Sequence, residues 1–151
     1  MHSFVRASGA LALSLAATTF AQDSCPPAGT CQSFGVDFTS GGVFFQNTLS
    51  NELFNATQEF VGCQDDASNN ILIGPAGDSF ECDTTSLVPD DEAQTFSCPV
   101  EKSALDSGDY SIVIISNNGD CSPIAYQRDF SINAAPQQTS TVSSCKGVST
   151  S

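Results

Sequence analysis

The side chains best suited to chemistry in this chain are seven cysteines (Cys25, Cys31, Cys63, Cys82, Cys98, Cys121 and Cys145) and 17 Asp and Glu residues. Zinc or redox chemistry needs a Cys-x-x-Cys pair or histidine partners. The sequence contains no Cys-x-x-Cys, and its one histidine is His2. The cysteines therefore read as disulfide formers, and their odd number leaves one without a partner within the chain. Cys25 and Cys31 bracket Pro26-Pro27-Ala28-Gly29-Thr30. They either close a small local loop or each tie an N-terminal arm to the domain.

The carboxylates offer two further chemistries. A pair about 5–10 Å apart can hydrolyse a glycosidic bond, but so many acids make some such pair inevitable, so abundance does not identify one. Asp65-Asp66, Asp90-Asp91-Glu92 and Asp120 fall in separate turns that one end of a β-domain could gather around Ca²⁺. None has the spacing of an EF-hand loop, and solvated turn acids are the simpler account. No metal site and no cofactor is expected. Asn55-Ala56-Thr57 is an N-glycosylation sequon, hence a surface position in an exported chain. Tyr126 could stack on a sugar or pack half-buried in a strand. Lys102 and Arg128 either pair with an acid on a neighbouring strand or lie on a solvated face.

Compartment follows from the first residues. Arg6, the apolar stretch Ala10 to Ala17 and the small-x-small triplet Thr19-Phe20-Ala21 read as a secretory signal peptide over residues 1–21, too short to remain as a membrane span. Cleavage before Gln22 removes His2, and with it any Ser-His-Asp or Cys-His arrangement. It also removes Arg6, making the formal charge of −13 one unit more negative. Nucleic acid and anionic membrane are disfavoured partners, because both require clustered Lys and Arg.

Between these termini, turn clusters separate short apolar runs of period two. Residues 22–32 form a Cys/Pro-rich arm. From Ser33 the runs Phe34-Val36-Phe38, 43–45, 57–62, 70–73, 79–82, 94–98, 110–116 and 124–132 read as strands. Asp65 to Asn69, Gly74 to Asp78, Pro89 to Asp91 and Asn117 to Asp120 supply the turns. Pro99 to Leu105 could make one helical turn. The fold class is therefore all-β, an antiparallel β-sandwich of seven or eight short strands over residues 33–134, stabilised by disulfides, with a small closed barrel as the alternative. Phe34, Phe38, Phe44, Phe45, Phe54, Phe60, Phe80, Phe96 and Phe130 with Ile71, Ile73, Ile112, Ile114 and Ile132 make the expected core. Residues 135–151 are Ser/Thr-rich and suit a stalk or tail.

The segment Leu105 to Ile112 resembles the Asp-x-Gly-x-Tyr-x-Cys motif that opens strand F of immunoglobulin domains. Asp106, Gly108 and Tyr110 match, Ile112 stands at the cysteine position, and the chain has no Trp. The resemblance implies an immunoglobulin-like sandwich with the Tyr110 hydroxyl bonded to backbone near residues 105–107. The whole plan is also similar to the N-terminal part of fungal secreted or wall-associated Ser/Thr-rich proteins. Phe60-Val61-Gly62-Cys63, Ser97-Cys98-Pro99-Val100, Ser107-Gly108-Asp109-Tyr110 and Ala125 to Ser131 carry that similarity. It implies an extracellular location and this architecture; with no mature histidine and no metal-ligand spacing, the reading is a non-enzymatic extracellular module, secreted or at a cell wall, structural or binding a cell-wall glycan or an extracellular protein. A free secreted effector is one alternative and a carboxylate-based glycoside hydrolase another.

Overall fold

A computed structural model describes residues 25–137. The expected signal peptide, Cys145 and most of the Ser/Thr-rich tail lie outside the described residues. Nine strands are present: β1 (Gln32–Gly35), β2 (Val43–Asn47), β3 (Leu53–Val61), β4 (Ala67–Ile73), β5 (Ser79–Glu81), β6 (Thr85–Ser86), β7 (Gln94–Glu101), β8 (Gly108–Ser116) and β9 (Ile124–Ala135). They form two sheets rather than a closed barrel. The smaller has the order β1-β3-β7; the larger runs β2-β9-β8-β4-β5, with β6 paired to β4. One 3-10 turn, Lys102–Ala104, joins β7 to β8.

Two expectations are corrected by this topology. The strand number exceeds seven or eight, and the arrangement is not antiparallel throughout, because β2 runs parallel to β9 from Val43↔Ser131 to Asn47↔Ala135. The cause lies between β1 and β2. After β1 pairs with β3, Val36 donates its N–H to the Thr57 carbonyl at 2.9 Å, and Asp37 Oδ1 accepts the Thr57 N–H at 2.9 Å. The chain then steps to the other sheet, where the Gly41 N–H meets the Asp129 carbonyl at 2.7 Å. Gly41, at φ +75, shifts the chain sideways in a conformation that favours glycine. The two runs that the sequence presents before and after Gly41-Gly42 thus belong to different sheets.

The alternation of each strand decides what is buried. Phe54, Ala56, Phe60, Phe96 and Cys98 from the smaller sheet face Leu72, Tyr110, Ile112, Ile114, Phe130 and Ile132 from the larger. Phe38 fills the crossing, its ring centroid 4.8 Å from Phe44, 4.9 Å from Phe54 and 5.0 Å from Phe130. Four residues expected in the core are placed otherwise. Phe34 and Phe45 are 47% and 58% exposed, and Ile71 and Ile73 are half-buried on the outward side of β4. Each sits at the odd phase of its strand, where period two turns it away from the opposite sheet.

Three disulfides frame the two sheets. Cys25 pairs with Cys121, Cys31 with Cys63 and Cys82 with Cys98. The first ties the N-terminal arm to the β8–β9 turn. The second joins the residues flanking the β1–β3 ladder, where Gly62, at φ +71, lies so close to Thr30 that a Cβ would stand 2.6 Å from its carbonyl oxygen. The third crosses from the end of β5 to β7, linking the sheets. Cys25 and Cys31 therefore close no local loop between themselves; each ties the arm to the domain.

At the entry to β8, Tyr110 is 3% exposed and its hydroxyl donates to the Asp106 carbonyl at 2.9 Å. Burial, with the nearby Asp106 carboxylate, pushes the phenol pKa up. Replacing Tyr110→Phe removes that hydrogen bond and keeps the ring, so denaturant unfolding is expected to show a loss of about 1 kcal/mol. Fully reducing the cystines is expected to lower the melting temperature far more, since a native bridge in a small domain contributes about 2–5 kcal/mol. Equal melting temperatures before and after reduction contradict the role given to the bridges.

Candidate functional site

The outward side of the larger sheet carries a group of unburied side chains hydrogen-bonded to one another. Register places Asp109 opposite Ser131 and Ser111 opposite Asp129 on β8 and β9. Because paired residues in a ladder point to the same side, all four project outward. Ser131 donates its hydroxyl to Asp109 Oδ1 at 2.6 Å, and Asp129 Oδ1 accepts from Ser111 Oγ at 2.5 Å and Gln127 Nε2 at 2.7 Å. The Gln127 amide and the Ser111 hydroxyl hold the Asp129 carboxyl below the usual carboxylate range. Gly41 and Gly42 complete the wall of a shallow concavity of ≈ 350 Å³ over these residues.

An aromatic lies beside this polar group. Phe45 is in parallel register with Asn133, one outward position beyond the Val43↔Ser131 pair, so an exposed ring shares the face with the serine–aspartate ladder. Further along the same face, Ile71 pairs with Val113 and Asn69 with Ile115. The chemistry available is recognition of hydroxyl and amide groups by ionised carboxylates, next to apolar area. Proton donation by Asp129 is opposed by its lowered pKa, because a general acid at neutral pH needs a raised one.

The turn acids meet in part. Asp66 Oδ2 accepts from the Ser116 hydroxyl at 2.8 Å and the Gly119 N–H at 3.1 Å, joining the turn after β3 to the β8–β9 turn that contains Asp120. Asp90 Oδ1 instead accepts the Gly62 N–H at 3.0 Å. These carboxylates act as acceptors that hold turns together, and among the described residues no three metal-ligating side chains converge. Asn55 lies on β3 with its side chain exposed, opposite Ser97. Lys102 reaches Glu52 at 2.9 Å and keeps that carboxyl below the usual range. The Tyr126 hydroxyl donates to the Cys31 carbonyl at 2.5 Å, anchoring the arm, and its ring packs half-buried against the core.

Arg128 departs most from expectation. Neither a solvated strand face nor an ion pair describes it: it is 6% exposed, and its Nη2 donates to Gln58 Oε1 at 2.6 Å and Nη1 to Ser33 Oγ at 3.1 Å. Gln58 Nε2 in turn donates to Asn70 Oδ1 and Thr85 Oγ1, each at 2.8 Å, and Ser68 lies 2.7 Å from Thr85 Oγ1. Burial lowers the guanidinium pKa to about 10, with Asp37 opposing, so it stays charged at neutral pH. Sequence reading missed this network because a polar residue at strand period looks the same pointing inward or outward. The one cue is that Ser68 and Asn70 share their phase with Leu72.

No family model matches the chain, and no curated protein matches it.

Asp66 ties two turns, and its ionised form is favoured first by the Ser116 hydroxyl and then by the Gly119 N–H, which lowers its folded pKa. The stability it contributes is present above the unfolded value, near 3.9, and is lost as pH falls through the folded value. Asp66→Asn is therefore expected to melt lower than the parent at pH 7 and to lose less on acidification, the two melting curves converging at low pH. A difference that stays constant across that range contradicts the assignment.

Proposed function

We propose that this chain is a secreted, non-enzymatic extracellular module with an immunoglobulin-like sandwich, which works by presenting the outward face of its larger sheet to an extracellular protein. The observation that carries this reading is the face itself: Asp109 and Asp129 beside outward Ile71, Val113 and Ile115, on a domain framed by disulfides. Support for the immunoglobulin-like assignment comes from the change of sheet between β1, antiparallel to β3, and β2, parallel to β9, and from the Tyr110 corner. Three disulfides suit an oxidising compartment. No helix among the described residues is long and apolar enough to cross a membrane. A Ser/Thr-rich stalk carrying the domain at a fungal-type cell wall fits the same plan, as does a free secreted effector.

A cell-wall glycan is the second reading, and Phe45 favours it. An exposed ring beside carboxylates and hydroxyls is the combination that stacks on a sugar and bonds its hydroxyls. Glycosylation at Asn55 is compatible with either reading, because that side chain leaves the opposite sheet and does not cover this face.

Purified protein is expected to show no turnover of polysaccharide, ester or peptide, and sedimentation with insoluble wall glycan, if observed, is expected to fall with Phe45→Ala and to be unaffected by Tyr126→Phe. Turnover abolished by Asp109→Asn or Asp129→Asn in a folded protein overturns the non-enzymatic reading. N-terminal sequencing of secreted protein is expected to start at Gln22; a start at Met1 contradicts secretion by signal cleavage.

A further inference from the structure

The apolar half of the larger sheet's outward face lies away from Phe45. Ile71 and Val113 are paired in register, Ile73 is paired with Ser111, and Ile115 with Asn69. Ile115 is 43% exposed and the other aliphatics are half-buried. Glu81 is in register with Ile71 on the β5 side, and a groove of ≈ 520 Å³ follows this edge past Asn69, Ile71, Glu81, Thr84 and Ile115. The solvated face of an antiparallel sheet normally carries polar residues, and a contiguous apolar patch on it marks a surface that another layer covers. Among the described residues no such layer lies there.

Charge selects the occupant. Glu81 flanks the aliphatic ladder on one side, with exposed Asp78 just before β5; on the other side Asp129 lies across Ser111 from Ile73, while Gln127 and Ala125 stand across from Val113 and Ile115. The described cations are placed elsewhere: Lys102 is bonded to Glu52 near the smaller sheet, and Arg128 is inside. Two copies meeting through this face would set acids against acids, which costs affinity. A segment with an apolar centre and Lys or Arg on both sides meets complementary charge instead. We propose that the groove beside Ile71 and Ile115 seats a basic segment of a partner protein, its apolar centre over the aliphatic ladder and its cations toward Glu81 and Asp129. This rests on the reading of the sheet face as a protein-binding surface.

The experiment uses the secreted full chain and two labelled synthetic peptides, Lys-Lys-Val-Ile-Val-Lys-Lys and its counterpart with Glu at each Lys, followed by fluorescence anisotropy at low and physiological salt. The lysine peptide is expected to bind the parent, to weaken with salt, and to bind Glu81→Lys and Ile115→Ser about tenfold more weakly or worse. Glu101→Lys, on the smaller sheet, is expected to bind like the parent. Equal weakening by all three variants overturns the groove in favour of diffuse attraction, and equal binding of both peptides, or of neither, overturns the partner chemistry. A parent dimer in sedimentation that Ile115→Ser dissociates assigns the face to a second copy and also overturns the proposal. If only the peptide results fail while turnover stays absent, the binding-module reading survives; turnover defeats that reading whatever the peptides do.

Discussion

The guanidinium of Arg128 lies between the two sheets with Gln58 as its principal acceptor, and a network of buried polar side chains on β3, β4 and β6 accommodates that contact. A charge taken from water costs several kcal/mol unless hydrogen bonds replace its hydration. Here no carboxylate forms an ion pair with it, and Nε finds no acceptor among the described residues. Compensation comes from Gln58 and Ser33, and the Gln58 amide is itself held by Asn70 and Thr85. The chain of bonds runs from β9 through β3 to β4 and β6. It fixes the lateral registration of the two sheets in a way that interdigitated phenylalanines alone do not, because apolar contacts carry no direction.

The covalent frame complements this polar interior. Cystines hold the arm, the β1–β3 end and the junction between β5 and β7. Phe38, Phe44, Phe54 and Phe130 occupy the opposite region, around the crossing between β1 and β2. The consequence for function is electrostatic. With Arg128 inside and Lys102 paired to Glu52, the outward face of the larger sheet carries acids and aliphatics without a described cation. A one-signed surface of this kind repels copies of itself and attracts basic partners.

Much of this arrangement was legible in the sequence. Turn clusters and period two located β3, β4, β5, β7, β8 and β9 to within a few residues, since hydrophobic alternation and turn chemistry are local properties. The corner motif drew attention to Tyr110 for a similarly local reason. What could not be read was phase and partnership. Phe34 and Phe45 look like core by residue type, yet their strands turn them outward. β2 cannot be foreseen as parallel to β9, because that depends on a crossing fixed by Asp37 and Gly41 contacting distant strands. Arg128 and Gln58 are 70 residues apart; neither neighbourhood signals the other. The cystine pairing was equally hidden, being one choice among many that only the fold can make.

A double-mutant cycle on Gln58 and Arg128, read by denaturant unfolding of Gln58→Leu, Arg128→Met and the double variant, tests the polar interior most directly. Gln58→Leu leaves a buried guanidinium with Ser33 alone, and Arg128→Met leaves the Gln58 carbonyl oxygen unpaired, so each single change is expected to cost about 1–3 kcal/mol or more. The double variant removes both partners and is expected to be more stable than the sum of the singles predicts, by about 1–3 kcal/mol of coupling. Additive losses, to within about 0.5 kcal/mol, would contradict the claim that this contact registers the two sheets.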